Sequence, residues 1–289
     1  MKKVLSLVLA LTIILSTFGA FTVFAETYGD YKYKVLENGT VEITRYTGSD
    51  TEIEIPSVID EKNVTSIGVN ALNNCDSLTS VNIPDSVTSI GNSAFRRCDN
   101  LESITIPDSV TSLEDMAFRD CASLKNITIP NSITSIKYGM FVFCLNLESI
   151  IIPNSVESIG EGVFYGCDGL TNITIPDSIT SIGKSTFEEC NNLTDIYYSG
   201  SEDEWNKIEI GEPNGKLLNA NIHFNYVPME EKGDISGDGV LDVIDVAMAR
   251  ASIVGTKTLT AEQIKAGDMN GDEILDIIDV VMMRKAIIG

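Results

Sequence analysis

LTSVNIPDSVTSIGNSAFRRCDN fills residues 78–100, and LESITIPDSVTSLEDMAFRDCAS follows directly over residues 101–123. The two segments share the same order of leucine, isoleucine-proline, valine-threonine-serine and phenylalanine positions, and each carries a cysteine at the same place. Further copies begin at Leu124, Leu147 and Leu170, and a degenerate copy, IPSVIDEKNVTSIGVNALNNC, precedes them over residues 55–75. A repeat of this length indicates a solenoid in which each copy forms one turn.

Each copy is too short to bury its apolar side chains alone. In the copy at residues 101–123, residues 101–106 form a short run that ends in three β-branched residues and predicts a strand. Pro107 ends it because proline cannot donate to a strand ladder. Residues 110–113 predict a second extended stretch, and residues 118–121 predict a turn. Stacked copies can share one core, with neighbouring strands about 4.8 Å apart. The repeat therefore predicts a β-rich solenoid.

The cysteines follow the same period. They are Cys75, Cys98, Cys121, Cys144, Cys167 and Cys190, each 23 residues after the last. A disulfide framework has no reason to be periodic, whereas a repeat does. We expect a column of small buried residues inside the stack. Disulfides between neighbouring sulfurs are the alternative.

The outward strand positions are mostly small and polar, which is typical of a solvated sheet. They form two columns: Asn82, Thr105, Thr128, Ile151 and Thr174, and Ser80, Ser103, Asn126, Ser149 and Asn172. One apolar group departs from this pattern, because Val142, Phe143 and Tyr165 follow the core phenylalanines of adjacent copies, with Tyr138 nearby. We hypothesise a small partner-contact patch at these four residues; drift of solvent-facing positions is the alternative.

The copies resemble BspA-type leucine-rich repeats, with the pattern LxxIxIPxSVTSIGxxAFxxC over roughly residues 34–198. TVEITRYTG, residues 40–48, resembles the N-terminal cap of such arrays. LTDIYYSGSEDEWNKIEIG and NIHFNY, residues 193–211 and 221–226, resemble the C-terminal cap. Caps are needed because an open solenoid end exposes core and unpaired strand edge. The resemblance implies a surface or secreted interaction protein whose solenoid binds an unknown protein or surface ligand.

Charge and the N-terminal segment limit the partners and the compartment. A net charge of −22, from 42 acidic and 20 basic side chains, argues against nucleic acid and against anionic membrane surfaces. Residues 1–25 predict a signal peptide, with Lys2 and Lys3 before a short apolar run and small residues before a cut after Ala25. An uncleaved anchor is the alternative. We expect a secreted, extracellular protein with no membrane insertion after signal cleavage.

A different duplication occupies residues 233–289. GDISGDGVLDVIDVAMARASIVG begins at Gly233 and GDMNGDEILDIIDVVMMRKAIIG begins at Gly267. Each opens with the pattern of a twelve-residue calcium loop, which supplies oxygen ligands at alternating positions and a carboxylate at its end. The pattern predicts two calcium ions, held by Asp234, Ser236, Asp238, the Val240 carbonyl, Asp242 and Asp245, and by Asp268, Asn270, Asp272, the Ile274 carbonyl, Asp276 and Asp279.

Helices are expected after each loop. The apolar runs predict helices over residues 246–254 and 280–288, and Thr260 with Gln263 forms a capping box that predicts a short helix between them. Leu241 and Leu275 are expected to pack inward. In the second loop Glu273 replaces the turn glycine of the first loop, which predicts weaker calcium binding there.

This segment resembles a type I dockerin, the module that attaches subunits to a cellulosome scaffold by binding the cohesins of that scaffold. The resemblance implies calcium-dependent binding to a cohesin, and an association with polysaccharide degradation. It implies cohesin contacts at Val243, Ile244, Arg250, Ala251, Ile277, Ile278, Arg284 and Lys285. The apolar pairs depart from the Ser-Thr pairs frequent in that family, so they bear on which cohesin is bound. The duplication also suggests two docking orientations related by a pseudo-twofold.

The sequence predicts no catalysis. Glycoside hydrolysis needs two carboxylates across a cleft, and the acidic residues here fall in repeats, caps or calcium loops. The chain has a single histidine, His223, in the predicted C-terminal cap. We therefore expect a signal peptide (residues 1–25), a capped solenoid (26–227), a linker (228–232) and a dockerin (233–289), forming a cellulosome-associated interaction protein. An adhesin or a carbohydrate-binding accessory subunit without catalysis is the alternative.

Overall fold

The structure, a computed structural model, describes residues 26–226, 233–235, 241, 243–271 and 274–288. The predicted signal peptide and linker lie outside these residues. The strands are β1 Glu26–Tyr28, β2 Tyr31–Val35, β3 Val41–Tyr46, β4 Glu52–Glu54, β5 Val58–Ile59, β6 Lys62–Ile67, β7 Ser80–Asn82, β8 Ser89–Ile90, β9 Ser103–Thr105, β10 Ser112–Leu113, β11 Asn126–Thr128, β12 Ser135–Ile136, β13 Ser149–Ile151, β14 Ser158–Ile159, β15 Asn172–Ile175, β16 Ser181–Ile182, β17 Asp195–Tyr198, β18 Glu209–Ile210 and β19 Asn221–His223. The helices are α1 Glu202–Trp205, α2 Gly215–Asn219, α3 Val243–Ile253, α4 Ala261–Gly267 and α5 Ile277–Ile288.

The repeats form a β-solenoid of about eight turns of about 23 residues, which confirms the predicted fold class. Each full turn contributes one longer strand and one two-residue strand, and these pair in parallel with their counterparts in adjoining turns. Within the described residues 26–226, the ladders are interrupted in the middle of the array, where β10 does not pair with β12 and β11 does not pair with β13. The register follows the repeat, so that Ser103 lies opposite Ser80 and Ile104 opposite Val81. The strand of the copy at 101–123 is shorter than predicted, because it covers only Ser103–Thr105.

The solenoid core is built from columns of equivalent side chains. Phe95, Phe118, Phe141, Phe164 and Phe187 are fully buried and stack along the array, with ring centroids 5.4 to 5.8 Å apart. Leu72 fills the same position in the preceding turn and is also fully buried. Such columns give every turn the same neighbours, which is why the fold depends on stacking rather than on any single turn.

The cysteines form a second column, and all six are free. Five are buried and Cys75, in the first copy, is half-buried. Burial raises the pKa of the Cys121 and Cys190 thiols to about 12. The predicted internal column is therefore present in its reduced form.

Both ends of the solenoid are capped. At the N-terminal end β1, β2 and β3 pair antiparallel before β3 joins the array through β6. At the other end Trp205 is buried and lies edge-on to Tyr198, with ring centroids 5.1 Å apart. Asn214 closes the last full turn, since its side chain accepts from Phe187 N at 3.0 Å and donates to the carbonyl of Gly183 at 2.8 Å.

The outward strand columns are mostly exposed, as predicted, with Thr174 as the exception. Thr174 is only 6% exposed because it lies in register between Ile151 and Tyr197, whose larger side chains flank it. Tyr197 in turn stacks on His223, with ring centroids 4.8 Å apart, and His223 Nε2 lies 2.8 Å from Asp195 Oδ1. The histidine is thus held within the cap.

Candidate functional site

The C-terminal helices pack on one another through a small apolar core. It comprises Ile235, Val246, Ala249, Leu259, Val280 and Met283. Leu241 and Leu275 pack partly buried against it, as predicted, and each lies over the glycine that opens its own segment, Gly233 or Gly267. This core is separate from the solenoid core. Six buried apolar residues, counted over the described part of this segment, make a small core for a folded unit, so such a module needs further stabilisation.

Helices α3 and α5 begin three residues earlier than the sequence predicted. The predicted starts at residues 246 and 280 were therefore wrong, because the last residues of each calcium loop already have helical backbone. Asp245 and Asp279 consequently lie in the first helical turn, where a carboxylate is stabilised by the helix dipole. Helix α4 begins after Thr260, whose hydroxyl accepts from Gln263 N at 3.2 Å while Gln263 Oε1 accepts from Thr260 N, which confirms the capping box.

The second calcium loop has its end carboxylate turned into the loop. Asp279 is fully buried, and its two oxygens accept from the backbone N–H groups of Met269 at 2.9 Å, Asn270 at 3.3 Å and Asp276 at 2.8 Å. Asp268, 7% exposed, accepts from Gly271 N at 2.8 Å. The loop is therefore organised around carboxylates held by its own backbone donors. Asn270, Asp276 and the Ile274 backbone are described as well, while Asp272 and Glu273 lie outside the described residues.

The first loop is described only at its ends. Asp234 and Asp245 are placed, and Asp245 is fully buried at the position equivalent to Asp279. Ser236, Asp238, Val240 and Asp242 lie outside the described residues, as does Gly239. Among the described residues no three acidic, histidine or cysteine side chains converge on one point. The two loops therefore share a buried end carboxylate, and their full ligand sets remain predictions.

The donors that are present suit a hard cation. Asp245, Asp268 and Asp279 are all buried carboxylates, and burying a carboxylate without a compensating charge costs several kcal/mol. Calcium is bound by carboxylate and backbone carbonyl oxygens, which is the chemistry that these loops offer. The residues thus fit a bound calcium ion, which would offset the charge that each segment buries.

The positions predicted to contact a cohesin lie on the surface at equivalent places in the two halves. Val243 and Ile244 open α3 and are 71% and 52% exposed, while Ile277 and Ile278 open α5 and are 59% and 51% exposed. Arg250, Arg284 and Lys285 are exposed and Ala251 is half-buried. Sequence reasoning missed Val281, which is 60% exposed one turn after Ile277, although its helical spacing could have revealed it.

On the solenoid, the predicted patch is only partly present. Phe143 and Tyr165 meet edge to face with ring centroids 5.6 Å apart, and Tyr138, in the same copy as Phe143, is exposed. Val142 is only 7% exposed, so its assignment to the patch was wrong. Val142 and Tyr165 occupy equivalent positions of adjacent copies, and this position is half-buried. A valine side chain is too short to reach the surface from there, whereas a tyrosine side chain is long enough.

Comparisons with known proteins agree with both parts of the chain. The family model for the BspA type leucine rich repeat region matches in six copies over residues 42–156 and 140–209, and that for the dockerin type I domain matches residues 232–288. A solved leucine rich repeat protein from T. pallidum is 30% identical with a TM-score of 0.59, covering 65% of this chain and 86% of its own. A leucine rich cell surface protein from Faecalibacterium prausnitzii is 21% identical, covering 64% of this chain and 97% of its own, with a TM-score of 0.39.

The search of curated proteins gave no match. Among the described residues, none of the helices combines the length and apolar composition needed to cross a bilayer.

A dockerin type I domain implies docking to a cohesin in a cellulosome-type assembly, and domains of this type bind calcium. The repeat match spans more than half of the 289 residues. The chain belongs to the BspA-type leucine-rich repeat family and carries a dockerin type I domain at residues 232–288.

Proposed function

We propose that this chain is an exported, non-catalytic subunit of a cellulosome-type assembly that degrades polysaccharide. Its dockerin, residues 233–289, attaches it to a cohesin, and its capped solenoid, residues 26–227, binds a protein or surface ligand. Residues 1–25 act as the signal peptide and residues 228–232 as the linker. The attachment follows from the dockerin family, while the lack of catalysis and the role in polysaccharide degradation are the parts that we add.

The main evidence for the docking surface is a pair of exposed apolar dipeptides at equivalent positions of the two halves. Val243–Ile244 and Ile277–Ile278 occupy the first turns of α3 and α5, and all four side chains are more than half exposed. Contiguous exposed apolar surface is typical of a protein–protein contact site. Arg250 and Arg284 lie two turns further along the same helices and supply charged contacts beside the apolar ones.

In this proposal, bound calcium fixes the first turns of the two docking helices, α3 and α5. The first ion is assigned to Asp234, Ser236, Asp238, the Val240 carbonyl, Asp242 and Asp245, and the second to Asp268, Asn270, Asp272, the Ile274 carbonyl, Asp276 and Asp279. A bound ion supplies the positive charge that the buried carboxylates need. Asp245 and Asp279 lie directly after the apolar dipeptides, so the residues that hold calcium also fix the first turn of each docking helix.

The lack of catalysis is supported by what the chemically versatile side chains already do. His223 is held by Asp195 and stacked on Tyr197 in the cap. The buried cysteines donate to backbone carbonyls inside the core, so their thiols are unavailable as nucleophiles. Each of these groups thus has a structural role that accounts for its position.

The test is calcium-dependent binding of the full secreted chain to recombinant type I cohesins. We expect binding in calcium, loss of binding in excess chelator, and recovery when calcium is restored. Ile244→Asp combined with Ile278→Asp should abolish binding without disturbing the buried core, since both side chains are more than half exposed. Ile151→Asp, on the solenoid face, serves as the matched control. Binding that survives chelation, or survives the double substitution, would contradict the docking proposal.

A further inference from the structure

An unusual surface lies on the turn edge of the solenoid, around the residues that flank the cysteine column. It comprises Arg96, Arg97, Arg119, Phe143, Leu145 and Tyr165, which we call the arginine–aromatic patch. Three of the six arginines of the chain lie in it, although the net charge is −22. Its members come from four successive turns of the array, so the solenoid, not the local sequence, brings them together.

The repeat brings these residues side by side through backbone hydrogen bonds. Arg97 N donates to the carbonyl of Arg119 at 2.9 Å, Asp120 N to that of Val142 at 2.7 Å, and Phe143 N to that of Tyr165 at 2.9 Å. Arg97, Asp120 and Phe143 therefore occupy one column, directly before successive cysteines. Leu145 lies two residues after Phe143, in the column that holds aspartate in Asp76, Asp99 and Asp168.

The basic half of the patch keeps donors available. Arg96 and Arg119 each approach Asp120 Oδ2 through Nε, at 3.4 Å, so one carboxylate lies between two guanidinium groups. Arg97 is exposed, and within residues 26–226 its side chain is engaged in no ion pair. Counted together with Asp99 and Asp120, which line the adjoining depression, the patch has three positive and two negative side chains, in a chain whose net charge is −22. An arginine fork binds a carboxylate with two parallel hydrogen bonds.

The apolar half lies beside it. The Phe143 ring lies over Gly166, where a Cβ atom would come within 2.5 Å of the ring, and Phe143 is 39% exposed. Leu145 is 44% exposed. Phe143 also has a left-handed backbone, φ +57, a conformation that disfavours bulky residues. The adjoining turns carry Asp120 and Gly166 at the Phe143 position, and Ala122 and Asp168 at the Leu145 position, so both large apolar side chains are exceptions within their columns.

A surface depression of about 350 Å³ separates the two halves. Arg96, Arg97 and Asp99 form one wall and Phe143 and Leu145 the other. Ala122 and Asp120 lie between them, and the small Ala122 takes a position that is leucine in the next turn, which opens the space. The depression has room for one apolar side chain with a charged group beside it.

We propose that this patch binds an acidic peptide segment, in which an aliphatic or aromatic side chain enters the depression and flanking carboxylates bind the guanidinium groups. The assignment rests on the proposed function of the solenoid as a partner-binding module and names the partner's chemistry. Charge complementarity selects an anion. The branched side chain of Leu145, together with a Phe143 ring that is turned onto Gly166 and Tyr165, favours a peptide over a sugar, since sugar rings stack on open aromatic faces.

The repeat supplies substitutions that the fold already tolerates. Arg96→Asn with Arg97→Asn copies Asn73 and Asn74 of the first copy, and Leu145→Asp copies Asp76, Asp99 and Asp168. Ile151→Thr is the matched control, because it removes an exposed apolar side chain from the strand face and copies Thr128 and Thr174. Trp205 is the single tryptophan and is buried in the cap, so its fluorescence reports whether each variant keeps the solenoid folded.

The experiment selects peptides from a random phage-displayed library on the full chain in calcium buffer, then measures each synthetic peptide by fluorescence polarisation. We expect selected peptides to carry aspartate or glutamate beside a large apolar residue. Their affinity should fall at least about tenfold in the arginine double variant and in Leu145→Asp, should weaken with added salt, and should be unchanged in Ile151→Thr.

Other outcomes would overturn the proposal. Peptides that bind both patch variants as tightly as the unchanged chain would remove the patch but leave the solenoid as a binding module. Failure to select any peptide, while the same preparation still binds cohesin, would reject peptide binding by the solenoid and leave docking intact. Binding of polygalacturonate that is lost in the arginine variant, without acidic peptides, would assign the patch to a polysaccharide instead.

Discussion

The thiol of Cys121 donates a hydrogen bond to the carbonyl oxygen of Phe95, 3.1 Å away and 26 residues earlier in the chain. The same bond recurs one turn apart along the column, at 3.0 to 3.2 Å, for Cys98, Cys144, Cys167 and Cys190. A thiol that donates is protonated, and burial raises the pKa of each of these cysteines. Because thiolate is the species that reacts, these buried thiols are protected from oxidation, including under the oxidising conditions that the proposed export would bring.

Native thiol reactivity should therefore single out one cysteine. Cys75 is half-buried, whereas the other five are buried, so Ellman's reagent should label Cys75 in the folded chain and all six in denaturant without reductant. Cys75→Ala should remove the native reaction and leave the denatured titration one thiol lower. Fewer than six free thiols in unreduced, denatured protein would reveal a disulfide and contradict the reduced column.

The phenylalanine column predicts unequal effects of one substitution at two positions. Phe141 has a ring on each side, at 5.8 and 5.6 Å, whereas Phe95 has one ring neighbour, because Leu72 occupies the preceding turn. An aromatic pair contributes about 0.5–1.5 kcal/mol beyond its buried area. Phe141→Leu should therefore lower the free energy of unfolding by about 1 kcal/mol more than Phe95→Leu, measured by urea denaturation followed through Trp205 fluorescence. Equal losses would mean that the stacked rings add nothing beyond burial.

Acid should weaken the solenoid partly through Glu114. Lys137 Nζ donates to Glu114 Oε1 at 2.7 Å and the Ser112 hydroxyl at 2.6 Å, and these hydrogen bonds hold the pKa of this carboxyl below its usual value. A carboxyl with a lowered pKa stabilises the fold above its unfolded pKa, about 4.3, and this contribution disappears as the pH falls through the folded pKa. Glu114→Gln should make the urea midpoint fall less between neutral pH and acid, and parallel profiles would contradict this assignment.

The repeat period made the solenoid predictable, because one alignment of residues 78–100 with residues 101–123 fixes the strand register and the buried columns. It also placed Val142 beside Tyr165, but it could not show that a valine at that half-buried position stays inside. The depression at Ala122 was not predicted, since it arises from the relative size of side chains in neighbouring turns. In the dockerin the loop pattern located Asp279, whereas its place within the first helical turn depends on backbone geometry.

Removing calcium should unfold the dockerin and leave the solenoid folded. The dockerin core is small and separate from the solenoid core, and its buried Asp245 and Asp279 need compensation. Excess chelator should reduce the helical circular dichroism signal while Trp205 fluorescence stays constant. Asp279→Asn should raise the calcium concentration needed for half-maximal helicity, whereas Asp203→Asn, an exposed residue of α1, should not. A helical signal that is unaffected by chelator would mean that the module folds without the ion.

The two docking faces should bind cohesin unequally. Ile277, Ile278 and Val281 form a continuous exposed face on α5, while α3 has Ala247 in place of Val281. The valine adds two methylene groups, and burying them contributes about 1.6 kcal/mol, roughly a tenfold preference for the orientation that uses α5. Ile277→Ala with Ile278→Ala should therefore weaken cohesin binding about tenfold, whereas Val243→Ala with Ile244→Ala should leave it almost unchanged, and all four together should abolish it. Val281→Ala should bring the affinities of the two double variants closer together in isothermal titration calorimetry, with Ile277 in place of Val243 as the remaining difference. A larger loss from the α3 pair than from the α5 pair would show that the exposed valine does not set the orientation.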